Sequence, residues 1–218
     1  VKPILYLGNR NYSSWSMRPW LALTWGKIQH EARVIPLGGE GYGERRMQSV
    51  LAKSLTGTVP VLHLGDEVIH DSLAISEWAA EQQPELWPRD ARARAQARAA
   101  VCEMHSGFSA LRSNLPCNVR RRAEPRQHAE AVQRDIDRMQ AIWTNLASRF
   151  GGPYLFGAAP TIADAFFTPV ATRFRTYAVK LSSDAQRYAD TLLADPAFLE
   201  WEREAVREEW KMPVWDSI

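Results

Sequence analysis

The segment Asn11-Tyr12-Ser13-Ser14-Trp15-Ser16-Met17-Arg18-Pro19-Trp20 places three hydroxyls within four positions. An apolar run, Ile4-Leu5-Tyr6-Leu7, precedes them, and a helix-like pattern from Trp20 to Trp25, closed by Gly26, follows. Serines at such a strand-to-helix junction can cap the helix. The same junction offers free amides and a partial positive charge, which together with a hydroxyl can stabilise an anion such as a thiolate. Asp71-Ser72 marks a second junction. Ser72 suits an N-cap, the free N–H groups behind it suit a carboxylate, and Asp71 suits an ammonium group. A ligand with an α-amino acid end would satisfy both. In Thr58-Val59-Pro60 a proline interrupts a strand-like run. It cannot donate to a ladder, so an edge or a bulge would explain it. A cis proline would instead present the Val59 N–H and C=O to a ligand, which could add as a strand. The three loops together describe a site for a short thiol peptide.

The elements that must carry these loops alternate over the first part of the chain. Strand patterns cover residues 4–7, 32–37, 59–64 and 67–69. Helix patterns cover 15–25, 43–52 and 72–81. The first strands and the helix between them read as a β-α-β unit, and Leu64-Gly65-Asp66-Glu67 reads as a tight hairpin. The order β-α-β-α-β-β-α predicts a small mixed sheet with helices on its faces. Residues 83–90 hold two prolines and read as a linker. Beyond them only helix patterns appear, over 91–115, 124–150, 161–179, 184–193 and 196–210. The expected fold class is α/β followed by all-α, with a first domain over 1–82 and an all-helical domain over 91–218.

Composition narrows the function. With 218 residues the chain holds one large domain or two small ones, and 45% hydrophobic with 24% charged residues is globular. A net charge of +2 gives no case for nucleic acid or an anionic membrane surface. No apolar run approaches the ~18 residues of a membrane span, and no signal peptide is visible. Two cysteines, Cys102 and Cys117, make no disulfide framework and no C-x-x-C. A reducing, cytoplasmic setting is expected. The five histidines show no metal-binding spacing, so no metal is expected. Gly38-Gly39-Glu40-Gly41-Tyr42-Gly43 fits no phosphate-binding motif and reads as a connector, and Arg120-Arg121-Arg122 reads as a solvated loop.

Four motifs in order resemble those of the cytosolic glutathione transferases, over nearly the whole chain. Ser13-Ser14-Trp15-Ser16-Met17-Arg18 resembles the zeta-like serine motif S-S-C-S-x-R. Thr58-Val59-Pro60 resembles the family's cis-proline loop. Asp71-Ser72-Leu73-Ala74-Ile75 resembles the clamp for the glutamyl end of glutathione. Gly157-Ala158-Ala159-Pro160-Thr161-Ile162-Ala163-Asp164 resembles the G-x-x-x-[ST]-x-A-D signature. Physically, Thr161 and Asp164 form a capping box, which makes this last motif structural. The resemblance implies a thioredoxin-like first domain, a helical second domain, glutathione as co-substrate and a homodimer, with either detoxification or one catabolic step as the role. Trp15 stands where the zeta-like motif has cysteine, a departure that speaks against maleylacetoacetate isomerase chemistry and against glutaredoxin-like thiol exchange.

The resemblance assigns the thiol-facing hydroxyl to Ser13, with Ser14 as the alternative; Ser16 lies inside the first turn. Thr58, Val59, Pro60, Asp71 and Ser72 would hold glutathione. A free thiol has a pKa near ~8.5, and each unit of lowering takes about 1.4 kcal/mol of preferential thiolate stabilisation. One hydroxyl bond plus the helix terminus can supply about two units. The thiolate would attack a small electrophile. In the family the first long helix lines that second-substrate site. His105, Phe108, Ser109 and Arg112 lie three or four residues apart and could share one face, with Arg112 facing an anionic substrate or leaving group. Arg173 and Tyr177, on a later helix, could face the same cleft. A glutathione-dependent isomerase, dehalogenase or ether-cleaving enzyme, or a glutathione-binding module, are the alternatives. The second substrate is not legible.

Overall fold

In a computed structural model, which describes residues 2–38 and 48–218, the first part of the chain is a four-stranded mixed sheet. Its strands are β1 (Ile4–Leu7), β2 (Glu31–Val34), β3 (Val61–Leu64) and β4 (Glu67–His70), in the order β2-β1-β3-β4. The β1–β2 pair is parallel, with α1 (Ser14–Trp25) as the crossover. β3 runs antiparallel to both β1 and β4. Gly65, at φ +67°, turns the β3–β4 hairpin in a conformation that L side chains rarely adopt. Alternation sorts the side chains. Leu5 and Leu7 of β1 and Leu62 of β3 face the main core, whereas Tyr6 and Val61 pack with Ile35 and Val50 on the other face. Val50 comes from the short helix α2 (Gln48–Leu51). Residues 43–47 of the expected helix over 43–52 and most of the glycine-rich connector lie outside the described residues.

The helix α3 (Ser72–Gln82) packs on α1, and Met17, Leu21, Ile75 and Ala79 are buried with Leu5 and Leu62. A 3-10 turn, Pro84–Leu86, follows. The remaining elements are helical: α4 (Ala91–Ser106), α5 (Ser109–Asn114), α6 (Glu130–Phe150), α7 (Ile162–Thr176), α8 (Ser183–Ala194), α9 (Pro196–Arg207) and α10 (Pro213–Asp216). α7 is the central helix. Its Ile162, Phe166, Phe167, Val170 and Phe174 are fully or almost fully buried, and it packs on α1, α4 and α8.

Two expectations need correction here. The single helix over 91–115 is broken. Gly107 ends α4, and Phe108 adopts a left-handed conformation, φ 61°, that restarts the chain as α5. Phe108 is buried in the core, so the apolar period runs on through a backbone that does not. The Arg120–Arg122 loop is also not simply solvated. Arg120 donates to Tyr12 Oη at 3.3 Å and to the Trp210 carbonyl at 3.0 Å, and Arg121 donates to the Asp216 carbonyl at 2.8 Å. Asp164 completes the capping box of α7. Its buried carboxylate also accepts from Leu155 N at 3.2 Å and from Tyr188 Oη at 2.8 Å.

Candidate active site

The loop between β1 and α1 is shaped by its own hydroxyls. Ser13 is the N-cap of α1: its Oγ accepts from Ser16 N at 3.3 Å and donates to Ser16 Oγ at 2.8 Å. Ser16 Oγ in turn accepts from Gly8 N at 3.0 Å. A Cβ on Gly8 would meet Leu37 Cδ1 at 2.6 Å and Ser13 Cβ at 3.0 Å, which shows how closely this loop approaches the chain after β2. Ser13 and Ser16 therefore spend their hydrogen bonds locally. Ser14 does not. Its Oγ accepts from Arg173 Nη2 at 3.0 Å, and its own proton has no acceptor among the described residues. Ser14 lines a cavity of about 170 Å³ with Tyr12, Trp15, Arg112, Pro116, Cys117, Arg173 and Trp215.

Arginines dominate this wall. Arg173, on α7, is buried and fully engaged: Nε donates to the Leu115 carbonyl at 2.9 Å and Nη1 to the Pro169 carbonyl at 3.1 Å. Arg112, on α5, curls back to the Met104 and His105 carbonyls at the end of α4, satisfying groups that a helix terminus leaves open. Arg18, on α1, is fully buried, with Nη1 3.4 Å from Ser72 Oγ. The guanidiniums of Arg18 and Arg112 stack on the Trp15 ring, 4.2 and 4.8 Å from its centroid, and Arg18 also lies over Phe166. Arg18 Nε and Nη2 and Arg112 Nε have no hydrogen-bond partner among the described residues. Burial lowers the pKa of all three arginines. Mutual repulsion adds to it for Arg18 and for Arg112, which falls to about 10. A guanidinium keeps its proton near neutrality, so three cations stand together along this wall, and the repulsion among them would be relieved by an anion.

At the second junction the cap is Asp71, not Ser72. Asp71 sits at φ 78°, and its Oδ1 accepts from Leu73 N at 2.7 Å and Ala74 N at 3.3 Å. Oδ2 lies 3.3 Å from His105 Nε2, across from α4. Ser72 is the first helical residue and is buried under Arg18. Burial lowers the His105 pKa, against the pull of Asp71. The Val59–Pro60 peptide is cis, and neither the N–H nor the C=O of Val59 is bonded to another described residue. Thr58 N and Oγ1 both turn back to Thr56 Oγ1, at 3.4 and 3.1 Å.

The four residues expected on one helix face are separated by the α4–α5 break. His105 packs edge-on to Trp15, with centroids 5.3 Å apart, and Arg112 lines the cavity. Phe108 points into the core and Ser109 is exposed, away from the cavity lining. Tyr177 is buried and donates to the Pro116 carbonyl at 2.9 Å, whereas Arg173 does line the cavity. Trp15, which in the sequence stands out only as the replacement of a cysteine, carries the arginine stack, and no local pattern places Cys117 or Trp215 at the cavity. The arginine spacing around Trp15 (three residues to Arg18) is the one local signal that could have drawn attention to the stack. Among the described residues, no group of three or more metal-ligating side chains converges, and no helix is long and apolar enough to cross a membrane.

Comparison with known proteins follows the two-part architecture. Residues 12–82 match the family model described as glutathione S-transferase, N-terminal domain, and residues 126–204 match that of its C-terminal domain. A probable maleylacetoacetate isomerase of Caenorhabditis elegans is 27% identical over 202 residues, covering 91% of this chain and 92% of its own. A maleylpyruvate isomerase of a Ralstonia species is 29% identical over 194 residues, covering 78% and 84%. Among solved structures, a glutathione transferase homologue from Burkholderia, crystallised with bound glutathione, superposes with a TM-score of 0.70 at 23% identity, covering 95% of this chain and 100% of its own.

Proposed function

The chain belongs to the glutathione S-transferase family, and on that footing we propose that it binds glutathione and activates its thiol as a thiolate for attack on a small electrophile. The observation that carries this reading is the Ser14 hydroxyl. It accepts from the buried Arg173 guanidinium and keeps its own proton available for an acceptor in the cavity. A hydroxyl polarised by a cation is a stronger donor to a thiolate than a neutral one. Ser13, whose proton goes to Ser16, holds the loop in place and caps the helix. The thiol proton passes to solvent, and the thiolate sulfur forms a bond to the electrophilic carbon. The displaced pair leaves with a departing group or collects a proton from solvent. Val59 would pair with the peptide backbone of glutathione, and Asp71 with Ser72 would hold its glutamyl end. Residues 1–82 are read as the glutathione-binding domain and 91–218 as the acceptor domain. A cytoplasmic homodimer that detoxifies electrophiles is the assembly and role this reading carries, and size-exclusion chromatography with light scattering checks the assembly.

A second reading, a glutathione-dependent isomerase, is favoured by the arginine wall. Arg112 and Arg173 line the cavity, and Arg18 lies close enough for all three charges to repel. An acceptor bearing carboxylates would relieve that crowding. Addition of the thiolate to a carbon–carbon double bond, rotation, and expulsion of the thiolate would return glutathione unchanged. Two of the relatives are named as isomerases. The test is a stoichiometry. Incubation with unsaturated dicarboxylates and with halogenated aromatics, while free thiol is followed, separates the readings: conjugation consumes glutathione and isomerisation does not. Turnover of neither class would defeat both.

A further inference from the structure

The segment after α9 returns to the active-site loop. Asp216 accepts from Tyr12 Oη through both carboxylate oxygens at 2.9 Å and from Asn118 Nδ2 at 2.8 Å. Met212 N donates to Tyr12 Oη at 3.2 Å, and Arg121 Nη1 donates to the Asp216 carbonyl at 2.8 Å. Tyr12 stands two residues before Ser14, so these bonds tie the segment to the loop that carries the candidate hydroxyl. Trp215 sits inside the latch and lines the cavity with Ser14, Arg112, Arg173 and Cys117.

Two features set the segment apart from the rest of the helical part. α10 buries none of its own residues, and Val214 is 70% exposed. The segment is therefore anchored at its start by the buried Met212 and beyond it by polar bonds around Tyr12 rather than by an apolar helix face. The cavity it closes measures about 170 Å³. Small-molecule sites generally run from about 300 Å³ upward. With Trp215 seated, the space beside Ser14 admits a small acceptor and excludes a large one.

We propose that residues 212–217 form a strap over the acceptor cavity, with Asp216 as its latch and Trp215 as a specificity-determining residue that limits acceptor size. This rests on the transferase reading for the role of the cavity, but the strap itself can be tested without turnover. Cys117 lines the cavity and is buried, whereas Cys102 is exposed on α4 and serves as an internal reference. The experiment is iodoacetamide labelling followed by mass spectrometry, on wild type, Trp215→Ala and Asp216→Ala. An unchanged far-ultraviolet circular dichroism spectrum and a single cooperative thermal transition show that each variant is folded.

Cys117 in wild type is expected to label far more slowly than Cys102. Either substitution is expected to speed Cys117 by about tenfold or more, the scale of losing one well-made polar tie on a local opening, and to leave Cys102 unchanged. In the same variants the ratio of kcat/KM for a bulky electrophile to that for a small one rises. An unchanged Cys117 rate in both variants overturns the strap, whatever the turnover. Faster Cys117 labelling in a chain that shows no glutathione-dependent turnover keeps the strap and removes the transferase reading instead.

Discussion

Arg173 Nη2 donates to Ser14 Oγ at 3.0 Å, across 159 residues of chain. The bond joins the central helix α7 to the first turn of α1, and it leaves the serine proton free for a ligand. Most of what this site can do depends on that contact.

Replacing Arg173 tests the contact from its far end. Arg173→Lys keeps a charge but cannot reach Leu115, Pro169 and Ser14 together, because an ammonium lacks the planar fork. Stability is expected to fall by about 2 kcal/mol or more, since buried carbonyls lose their donor. The kcat for glutathione-dependent turnover is expected to fall about tenfold or more as Ser14 loses its polarising partner. Urea titration and steady-state kinetics read the two effects. A variant that is destabilised but turns over normally would uncouple Arg173 from the chemistry.

Arg112→Gln addresses acceptor charge. It removes a cation from the cavity wall and weakens the cap on α4. KM for an anionic acceptor is expected to rise about tenfold, the equivalent of one lost charge-assisted bond, while KM for a neutral acceptor stays within about twofold. Equal effects on both acceptors would mean that Arg112 acts through the α4 terminus alone.

Burial lowers the pKa of His105 and His30 below the ordinary 6.5. A histidine with a depressed folded-state pKa resists protonation in the native chain. Its contribution is therefore fully present above pH 6.5 and is lost as pH falls through the folded-state value. The melting temperature should decline as pH drops from about 7 toward 5, and more gently in His30→Gln and His105→Gln than in wild type. Parallel profiles for all three proteins would contradict the assignment.

Asp164 is buried and accepts from the backbone N–H of Thr161 and Leu155 and from the hydroxyls of Thr161 and Tyr188. Asp164→Ala strands these donors in the core. The expected loss is about 3 kcal/mol or more, measured by chemical denaturation. Glutathione affinity of the folded fraction should not change, because Asp164 lies away from the cavity lining.

How much of this was readable in the chain follows from where the interactions run. The β1 pattern, the Gly65 hairpin and the Thr161–Asp164 cap are local, so periodicity and turn chemistry expose them. The loop serines were legible as a group. Their division of labour was not, because it depends on Arg173 reaching Ser14 from a distant helix. The α4–α5 break was hidden for a different reason. Phe108 continues the apolar period while its backbone turns left-handed, a conformation unfavourable enough for a bulky residue that sequence gives no warning. The latch of Asp216 on Tyr12 spans 204 residues and leaves no local trace.

The central claim is that Ser14 stabilises a thiolate, and the direct measurement is the thiol pKa of bound glutathione. Thiolate absorbance against pH would be followed for wild type, Ser13→Ala and Ser14→Ala. Wild type should show a pKa at least about one unit below the free value near ~8.5. Ser14→Ala should return it toward that value, and Ser13→Ala should leave most of the shift in place. An unshifted pKa in wild type, or a shift abolished by Ser13→Ala and kept by Ser14→Ala, would contradict the account.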